Sequence, residues 1–495
     1  MLSKHATTPA QRGRAGHPQA RARGPCPRQP TVEGGRLVSD AVEPSIKNDQ
    51  RTIFGWAMYD WANSAYATTI AGAVLPAFFA DEIVPEAGYN LFGATLSGET
   101  IWGLATGGGA FLLFLVMPIL GAIADFSATK RRFLMGFAIA GALTTMTLGL
   151  MSPGMVVPTL GLFLLAQISF VAANVFYDGF LPEISTDDTI DRVSSKGFAL
   201  GYLGGGLQLV LAAVLILLHE SFGITETAAV QIGMASAGLW WLGFGLFSLT
   251  RIPETGTASP LPPEYAGRNR FSSYASIGFR RTLATAKKLL GFKQILLFVI
   301  AFMLYNDGVQ TTIAMTSVYA TDTLNLEIET ILVAFLIVQF IAFFGALAFG
   351  IVADRVGAKR GILLTLGVWS GVAVAAFFLP EGEAVPFWML ATVVGFILGG
   401  VQALSRSLYG SMIPEEASAE FYGFYSVFAK FSAIWGPLTF AVISATTGSG
   451  RPAILSIVIF FIAGMILLSR VDVEQARASR ERWLFDGVEA QVVDD

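Results

Sequence analysis

The feature that most constrains the fold is a short motif that occurs twice, each time between two long apolar stretches. It reads GAIADFSATKRR at residues 121–132 and GIVADRVGAKR at residues 350–360. In both copies small residues allow two helices to approach closely, and a carboxylate and a basic turn follow. Asp125 and Asp354 would lie at the edge of an apolar layer, where a charge is costly without a partner. Two such copies indicate a duplicated membrane protein.

The composition supports a membrane protein over a soluble one. Hydrophobic residues make up 54% of the chain and charged residues 14%, whereas soluble domains average about 25% charged residues. The apolar residues fall into blocks of roughly 20, the length that crosses about 30 Å of hydrocarbon. The single cysteine, Cys26, excludes an internal disulfide framework.

The apolar blocks predict an all-α integral membrane protein with twelve transmembrane helices in two pseudo-symmetric halves of six. We expect a disordered tail at 1–50, a first half at 51–250, a linker at 251–294, a second half at 295–470 and a tail at 471–495. The predicted spans are 56–80, 101–124, 133–151, 157–177, 197–218, 230–250, 295–318, 330–353, 362–379, 387–409, 421–445 and 453–469.

The loops differ in charge according to the side on which they would lie. One set is rich in Lys and Arg, including the two motifs and the linker, whereas the other is rich in Asp and Glu and has only Arg451 as a base. The positive-inside rule therefore predicts that both termini and the linker are cytoplasmic. We expect the protein to reside in the plasma (inner) membrane of the cell.

The two segments outside the halves leave alternatives open. Residues 1–50 are polar and Arg-rich, and suit either a dispensable tail or, less well, an organelle transit peptide. In the linker, residues 274–292 predict a basic amphipathic helix with Ile277, Leu283, Leu289 and Leu290 on its apolar side. This helix would lie either on the inner leaflet or in solvent as a plain connector.

Further matched landmarks indicate that the halves are repeats. Residues 177–183 (YDGFLPE) mirror residues 409–415 (YGSMIPE), and residues 59–60 near the start of helix one mirror residues 305–307 in helix seven. Parallel repeats of this kind place a substrate site between the halves, near the membrane midplane.

Helix one carries a polar stripe that should face the interior of the bundle. Tyr59, Asp60 and Asn63 share one helical face, which would be costly in contact with lipid. Asp60 is the first candidate for proton coupling, because a buried carboxyl can bind a proton in one conformation and release it in another. Alternatively, it forms a permanent ion pair with Arg406 or Lys430.

These motifs resemble known families. The twin loops resemble those of the major facilitator superfamily, although Phe126 replaces the usual Arg and Ala128 the usual Gly of the first copy. The helix-one residues 59–69 (YDWANSAYATT) and the helix-four residues 174–182 (NVFYDGFLP) resemble the vacuole effluxer branch of that superfamily. The resemblance covers roughly residues 50–470. Fungal members are associated with amino-acid export from the vacuole, which implies a substrate class for this chain.

The remaining candidates divide into two groups. Polar residues at depth in the spans are candidates for substrate binding or coupling: Tyr59, Asp60, Asn63, Asn174, Tyr177, Asn306, Asp307, Gln310 and Lys430. Charged residues near the cytoplasmic helix ends are candidates for a gate: Asp125, Arg131, Asp178, Asp354, Arg355, Lys359, Arg360 and Arg406.

These features predict a secondary transporter that moves a small polar solute, such as an amino acid, by alternating access with proton coupling. The alternative is a membrane solute sensor on the same fold. An enzyme is disfavoured, because the chain has 3 His and no nucleophilic or metal-ligand constellation. The expected partners are the solute, protons and the bilayer, with no nucleic acid, cofactor or metal, and the protein should act as a monomer.

Overall fold

The computed structural model describes residues 46–91, 93–254, 265 and 269–480, all within one compact unit, Ser45–Asp495. The expectations for residues 1–45, for most of the Pro-rich part of the linker and for residues 481–495 lie outside this range.

The first half begins with a long helical rod that contains two π-helical segments. Helix α1, Gln50–Ala65, continues through π-helical turns at Tyr66–Val74, α2 at Leu75–Phe78 and a second π-helical segment at Phe79–Ile83. A hairpin of β1, Tyr89–Leu91, and β2, Ala94–Leu96, follows. The other helices of this half are α3 Gly98–Ser127, α4 Lys130–Leu148, α5 Val156–Gly179, α6 Leu181–Ile184, α7 Ile190–Leu217 and α8 Glu226–Leu249.

The linker helix α9, Arg270–Leu289, precedes the second half. That half contains α10 Lys293–Val318, a π-helical turn Tyr319–Thr323, α11 Ile328–Val356, α12 Ala358–Phe377, α13 Ala384–Met412, a 3-10 turn Glu415–Ala417, α14 Ser418–Phe431, α15 Trp435–Thr447, α16 Gly450–Ser456, α17 Val458–Ser469 and α18 Val473–Arg480.

The helices confirm the all-α membrane fold. Within the described ranges, nine helical segments are long and apolar enough to span a membrane. The rod from α1 to Ile83, α3 and α4 occupy the positions of the first three predicted spans. The twelve predicted spans are consistent with this arrangement, with helix eleven divided into α14 and α15 and helix twelve into α16 and α17.

Polar caps define several helix ends. The Asp49 carboxylate accepts hydrogen bonds from the amide and the hydroxyl of Thr52, both at 2.8 Å, and these bonds lower the pKa of Asp49.

The turns of the two motif copies differ in the residue that adopts a positive φ: Gly357 has φ 84°, whereas Ala128 holds a left-handed conformation at φ 47°. Ala128 therefore bears a steric cost that glycine would avoid.

The linker contains a helix at Arg270–Leu289, which overlaps the predicted range 274–292 but begins and ends earlier, and the apolar residues divide between two environments. Ile277 and Leu289 are buried against the protein, whereas Leu283 and Leu290 are exposed. The helix packs on α3, with Gly278 directly against Ile123. It is therefore docked on the bundle, unlike a plain solvated connector.

Candidate functional site: a charged cavity between the two halves

A cavity of about 370 Å³ lies between the halves. The rod containing α1, together with α5 and α7, forms one wall, and α10, α11, α13 and α14 form the other. Its polar lining residues include Asp60, Asn63, Ser64, Thr68, Asn174, Asp178, Tyr202, Asn306, Gln310, Gln339, Gln402, Ser405, Arg406, Ser426 and Lys430. The volume suits a small solute rather than a macromolecule.

An ion cluster at this cavity joins the halves. The Arg406 guanidinium on α13 lies 3.1 Å from Asp60 Oδ2 and 3.2 Å from Asp178 Oδ1. The Tyr177 hydroxyl donates to Asp60 Oδ2 at 2.8 Å. With both carboxyls ionised, the cluster carries one surplus negative charge. We call Asp60, Asp178, Arg406 and Tyr177 the acidic cluster.

Aromatic and backbone contacts hold Arg406 in place. Its guanidinium lies 4.0 Å from the centroid of Phe198 and 5.0 Å from that of Trp56, distances typical of cation–π contacts. It also donates to the Ser194 carbonyl oxygen at 2.8 Å. Gly197 on α7 provides the space for this arrangement, because a Cβ there would lie 2.8 Å from Arg406 Nη2. The cluster therefore depends on close approach of α7.

Lys430 supplies the other charge of the cavity. It lines the cavity, is exposed, and has no ion-pair partner within the described part of the chain. Nearby in the lining, Asn306 donates to Ser432 Oγ at 2.5 Å, and Asn63 donates to Asn174 Oδ1 at 2.5 Å. The cavity thus presents an acidic cluster, an unpaired ammonium group and amide side chains to a bound solute.

Two hydrogen bonds cross between the halves near the middle of the helices. Tyr202 on α7 donates to Gln402 on α13 at 2.5 Å, and Gln339 on α11 donates to Thr68 at 3.0 Å. Sequence reasoning had not selected Tyr202 or Thr68 as site residues. For Tyr202 no signal was present, since a lone Tyr in an apolar helix is ordinarily a packing residue.

At the end of the bundle that carries the twin motifs, which we call the basic face, Asp125 links the two halves. Its carboxylate accepts from the backbone amides of Ala419, at 3.3 Å, and Glu420, at 2.8 Å, at the start of α14. Lys130 Nζ lies 3.0 Å from Asp125 Oδ1 and also pairs with Glu183. A helix N-terminus favours a carboxylate. We call this arrangement the first latch.

Asp354 forms a second latch in the repeat-related position. Its carboxylate pairs with Arg192 on α7, so that the end of α11 in the second half is tied to the first half. Each motif carboxylate therefore reaches across to the opposite half. Arg192 was not among the predicted site residues, because nothing in its local pattern indicates a partner 162 residues away.

In contrast to Asp178 and Arg406, the four motif bases predicted for the gate form no hydrogen bond or ion pair between the halves within the described residues. Arg131 donates to the Leu249 carbonyl at 3.0 Å, at the end of α8. Lys359 donates to the Val471 carbonyl at 2.7 Å, after α17. A base of each motif thus donates to carbonyl groups at the end of the last membrane-spanning helix of its own half. Arg355 and Arg360 are exposed.

With this geometry established, comparison with known proteins identifies the family. A family model described as "Vacuole effluxer Atg22 like" matches residues 48–481. The chain belongs to this family. The resemblance inferred from helix one and the twin loops is confirmed.

Individual relatives agree with this assignment. The uncharacterized MFS-type transporter YxiO of Bacillus subtilis (strain 168) is 32% identical over 422 residues, which cover 85% of this chain and 94% of that protein. Autophagy-related protein 22-1 of Sclerotinia sclerotiorum is 22% identical over 459 residues, covering 78% of this chain and 77% of that protein. The proton:xylose symporter XylE superposes with a TM-score of 0.61 at 14% identity, covering 87% of this chain and 98% of that one. This effluxer-family chain is therefore a multi-pass membrane transporter with the major facilitator fold.

The structure divides the predicted substrate residues of this effluxer-family chain. Asp60, Asn63, Asn174, Asn306, Gln310 and Lys430 line the cavity, and so do the gate candidates Asp178 and Arg406. Tyr59 packs against Tyr177, with ring centroids 5.2 Å apart, and neither belongs to the lining. Asp307 is only 2% exposed and accepts from the Gly436 amide at 2.9 Å, at the start of α15.

Proposed function

We propose that this transporter moves a zwitterionic amino acid or a closely related metabolite by alternating access, coupled to protons and in the direction of export. The observation that carries the proposal is the unpaired Lys430 in a cavity that also contains the acidic cluster. A solute carboxylate would pair with Lys430, and a solute ammonium group would face the surplus negative charge of the cluster. The amides of Asn306 and Gln310 would hydrogen-bond to its polar groups.

The contacts between the halves support alternating access. Both latches lie at the basic face and the acidic cluster lies at the cavity, so in this conformation the halves are tied together on one side of the solute site. Release of these ties would open that side. By the positive-inside rule, we assign the basic face and both termini to the cytoplasm, and we place the protein in the plasma membrane as a monomer. The conformation described would then be closed to the cytoplasm.

Asp60 and Asp307 are the proposed proton carriers. Asp60 lines the cavity and forms an ion pair with Arg406. Asp307 has no cationic partner among the described residues, and it accepts a hydrogen bond from Gly436 at the start of α15, directly after the break that separates α14 from α15. Protonation of a carboxyl in such a setting removes a buried charge, which favours a different helix arrangement.

The test uses purified protein in two steps. A thermal-shift screen of amino acids, organic acids and sugars selects ligands, and each ligand is then tested for counterflow and for pH-gradient-driven flux in proteoliposomes. We expect amino acids to stabilise the protein and to exchange. Binding without counterflow would instead indicate a solute sensor, and preference for an uncharged sugar would contradict the assigned substrate class.

Coupling is tested in the same vesicles with Asp60→Asn and Asp307→Asn. Both variants should retain counterflow, which needs no net proton movement, and should lose accumulation driven by a pH gradient. Full gradient-driven flux in both variants would remove these carboxyls from the coupling mechanism.

A further inference from the structure

The linker helix α9 has one exposed face on which apolar and basic side chains alternate. Phe279 and Leu283 are 53% and 49% exposed, and Leu290, directly after the helix, is 68% exposed, although the opposite face of the helix is docked on the protein. Arg280 and Lys287 are exposed along the same side. Large apolar side chains flanked by bases are typical of helices that lie in a membrane interface.

The depth of α9 matches that location. Gly278 lies against Ile119 and Ile123 of α3, and α3 ends at Ser127. At 1.5 Å per residue, these contacts lie roughly 6–12 Å before the end of the spanning helix. The helix therefore runs beside the end of α3 rather than beyond it, which is the depth expected of a helix in the headgroup region.

The charge of α9 selects the partner. The helix contains Arg270, Arg280, Arg281, Lys287 and Lys288 and no acidic residue. A basic helix at the membrane surface is attracted electrostatically to anionic headgroups.

The docked face of α9 reaches the first latch. Arg281 Nε lies 3.9 Å from Glu420 Oε2, and the Glu420 amide donates to Asp125. Phe126, which follows Asp125, is buried with Ile277 and Tyr265 and lies under Arg281, whose guanidinium is 5.6 Å from its ring centroid. Phe126, one of the two residues that depart from the superfamily motif, is thus part of the surface on which the linker helix docks.

We propose that the exposed face of α9 binds anionic phospholipids of the leaflet at the basic face, and that this binding holds the first latch closed through Arg281 and Glu420. Lipid composition would then set how readily the basic face opens. This inference needs no identified solute, so it stands or falls independently of the proposed substrate.

The test measures opening of the basic face with a single cysteine. Ser195 is 1% exposed, and its Cβ lies 2.8 Å from the position of a Cβ at Gly350 in the opposite half, so a cysteine there is shielded while the face is closed. Labelling of Ser195→Cys in a Cys26→Ser background is compared in nanodiscs of phosphatidylcholine alone and with phosphatidylglycerol. We expect labelling to be about fivefold slower with phosphatidylglycerol, the factor that about 1 kcal/mol produces.

Two substitutions at one position provide the matched control. Leu283→Glu and Leu283→Lys both remove the exposed leucine but place opposite charges on the face. Leu283→Glu should abolish the phosphatidylglycerol effect, whereas Leu283→Lys should keep it. Equal labelling of the parent protein in both lipids, or equal behaviour of the two variants, would overturn the proposal.

A double variant tests whether α9 acts on the first latch through the contact between Arg281 and Glu420. Arg281→Gln combined with Glu420→Gln removes the link between α9 and α14 without leaving an unpaired buried charge. Labelling in this variant should be fast in both lipids. A phosphatidylglycerol effect that persists unchanged would contradict coupling through Arg281.

Discussion

At the level of a single side chain, the proposed substrate class is tested at Lys430, which lines the cavity. Replacing it with Gln removes the cation that would pair with a solute carboxylate, and we expect KM for the transported amino acid to rise about tenfold, equivalent to about 1.4 kcal/mol. Concentration-dependent flux in proteoliposomes measures this change.

The matched control for Lys430 is chemical as well as genetic. Lys430→Arg should retain most of the affinity, and KM for an amino-acid amide, which lacks the carboxylate, should be the same in Lys430→Gln and the parent. An equal loss for the acid and the amide would show that Lys430 does not bind the carboxylate.

Ala128 carries backbone strain that its counterpart Gly357 does not. Its left-handed φ of 47° costs a residue with a Cβ about 1–2 kcal/mol. Glycine removes this cost, but it also increases the conformational entropy of the unfolded chain, which offsets part of the gain in stability. We therefore expect Ala128→Gly to raise the free energy of unfolding by about 0.5–1 kcal/mol. Thermal unfolding in detergent measures the sign.

Ala124 is the control for the Ala128 substitution. It lies four residues earlier, inside α3, where glycine costs up to about 1 kcal/mol. Ala124→Gly should lower the unfolding temperature, and a shift of the same sign in both variants would contradict the conformational explanation.

At the level of the helices, Gly197 allows α7 to approach the acidic cluster. A Cβ there would lie 2.8 Å from the Tyr177 hydroxyl and 2.9 Å from Asp60 Oδ2. Gly197→Ala should therefore destabilise the protein by about 1–3 kcal/mol, the usual cost of overpacking, and should impair flux.

Gly243 on α8 is the comparison for Gly197, because a Cβ there would meet nothing within 4 Å. Gly243→Ala should be neutral or stabilise the helix by up to about 1 kcal/mol. If the two alanine variants had equal stability and flux, close packing of α7 would not be what forms the cluster.

Helix periodicity predicted which residues are polar and deep, but not which neighbour each one meets. Asn306 and Gln310 are four residues apart, share a face and both line the cavity. Asp307 is turned by about 100° from Asn306, and the start of α15 receives its carboxylate. The same rotation separates Tyr59 from Asp60. Which face meets the cavity depends on packing between distant helices, which a single sequence does not contain.

At the level of the whole molecule, the duplicated motif predicted the two-half architecture. In the structure, the carboxylate of each motif copy contacts the opposite half. The sequence identified Asp125 and Asp354 by their repeated context. Their partners, the amide of Glu420 and the side chain of Arg192, come from the opposite half. Such partners depend on how the two halves dock, so the local sequence pattern does not predict them.

In the proposed transport cycle the two halves alternate, and the latches close the basic face while the cavity is accessible from the other side. Asp354→Asn weakens the second latch, and we expect it to slow transport while leaving expression intact. Unchanged transport kinetics would exclude Asp354 from the gate.

The labelling rates of two single cysteines, one on each side of the proposed gate, test this alternation. In a Cys26→Ser background, Ser195→Cys reports on the basic face and Ala67→Cys on the cavity, which Ala67 lines. Adding Asp354→Asn should accelerate labelling of Ser195→Cys and slow labelling of Ala67→Cys from the side opposite the basic face. If both labelling rates rose together, or if neither changed, the two sides would not alternate and the alternating-access mechanism would be contradicted.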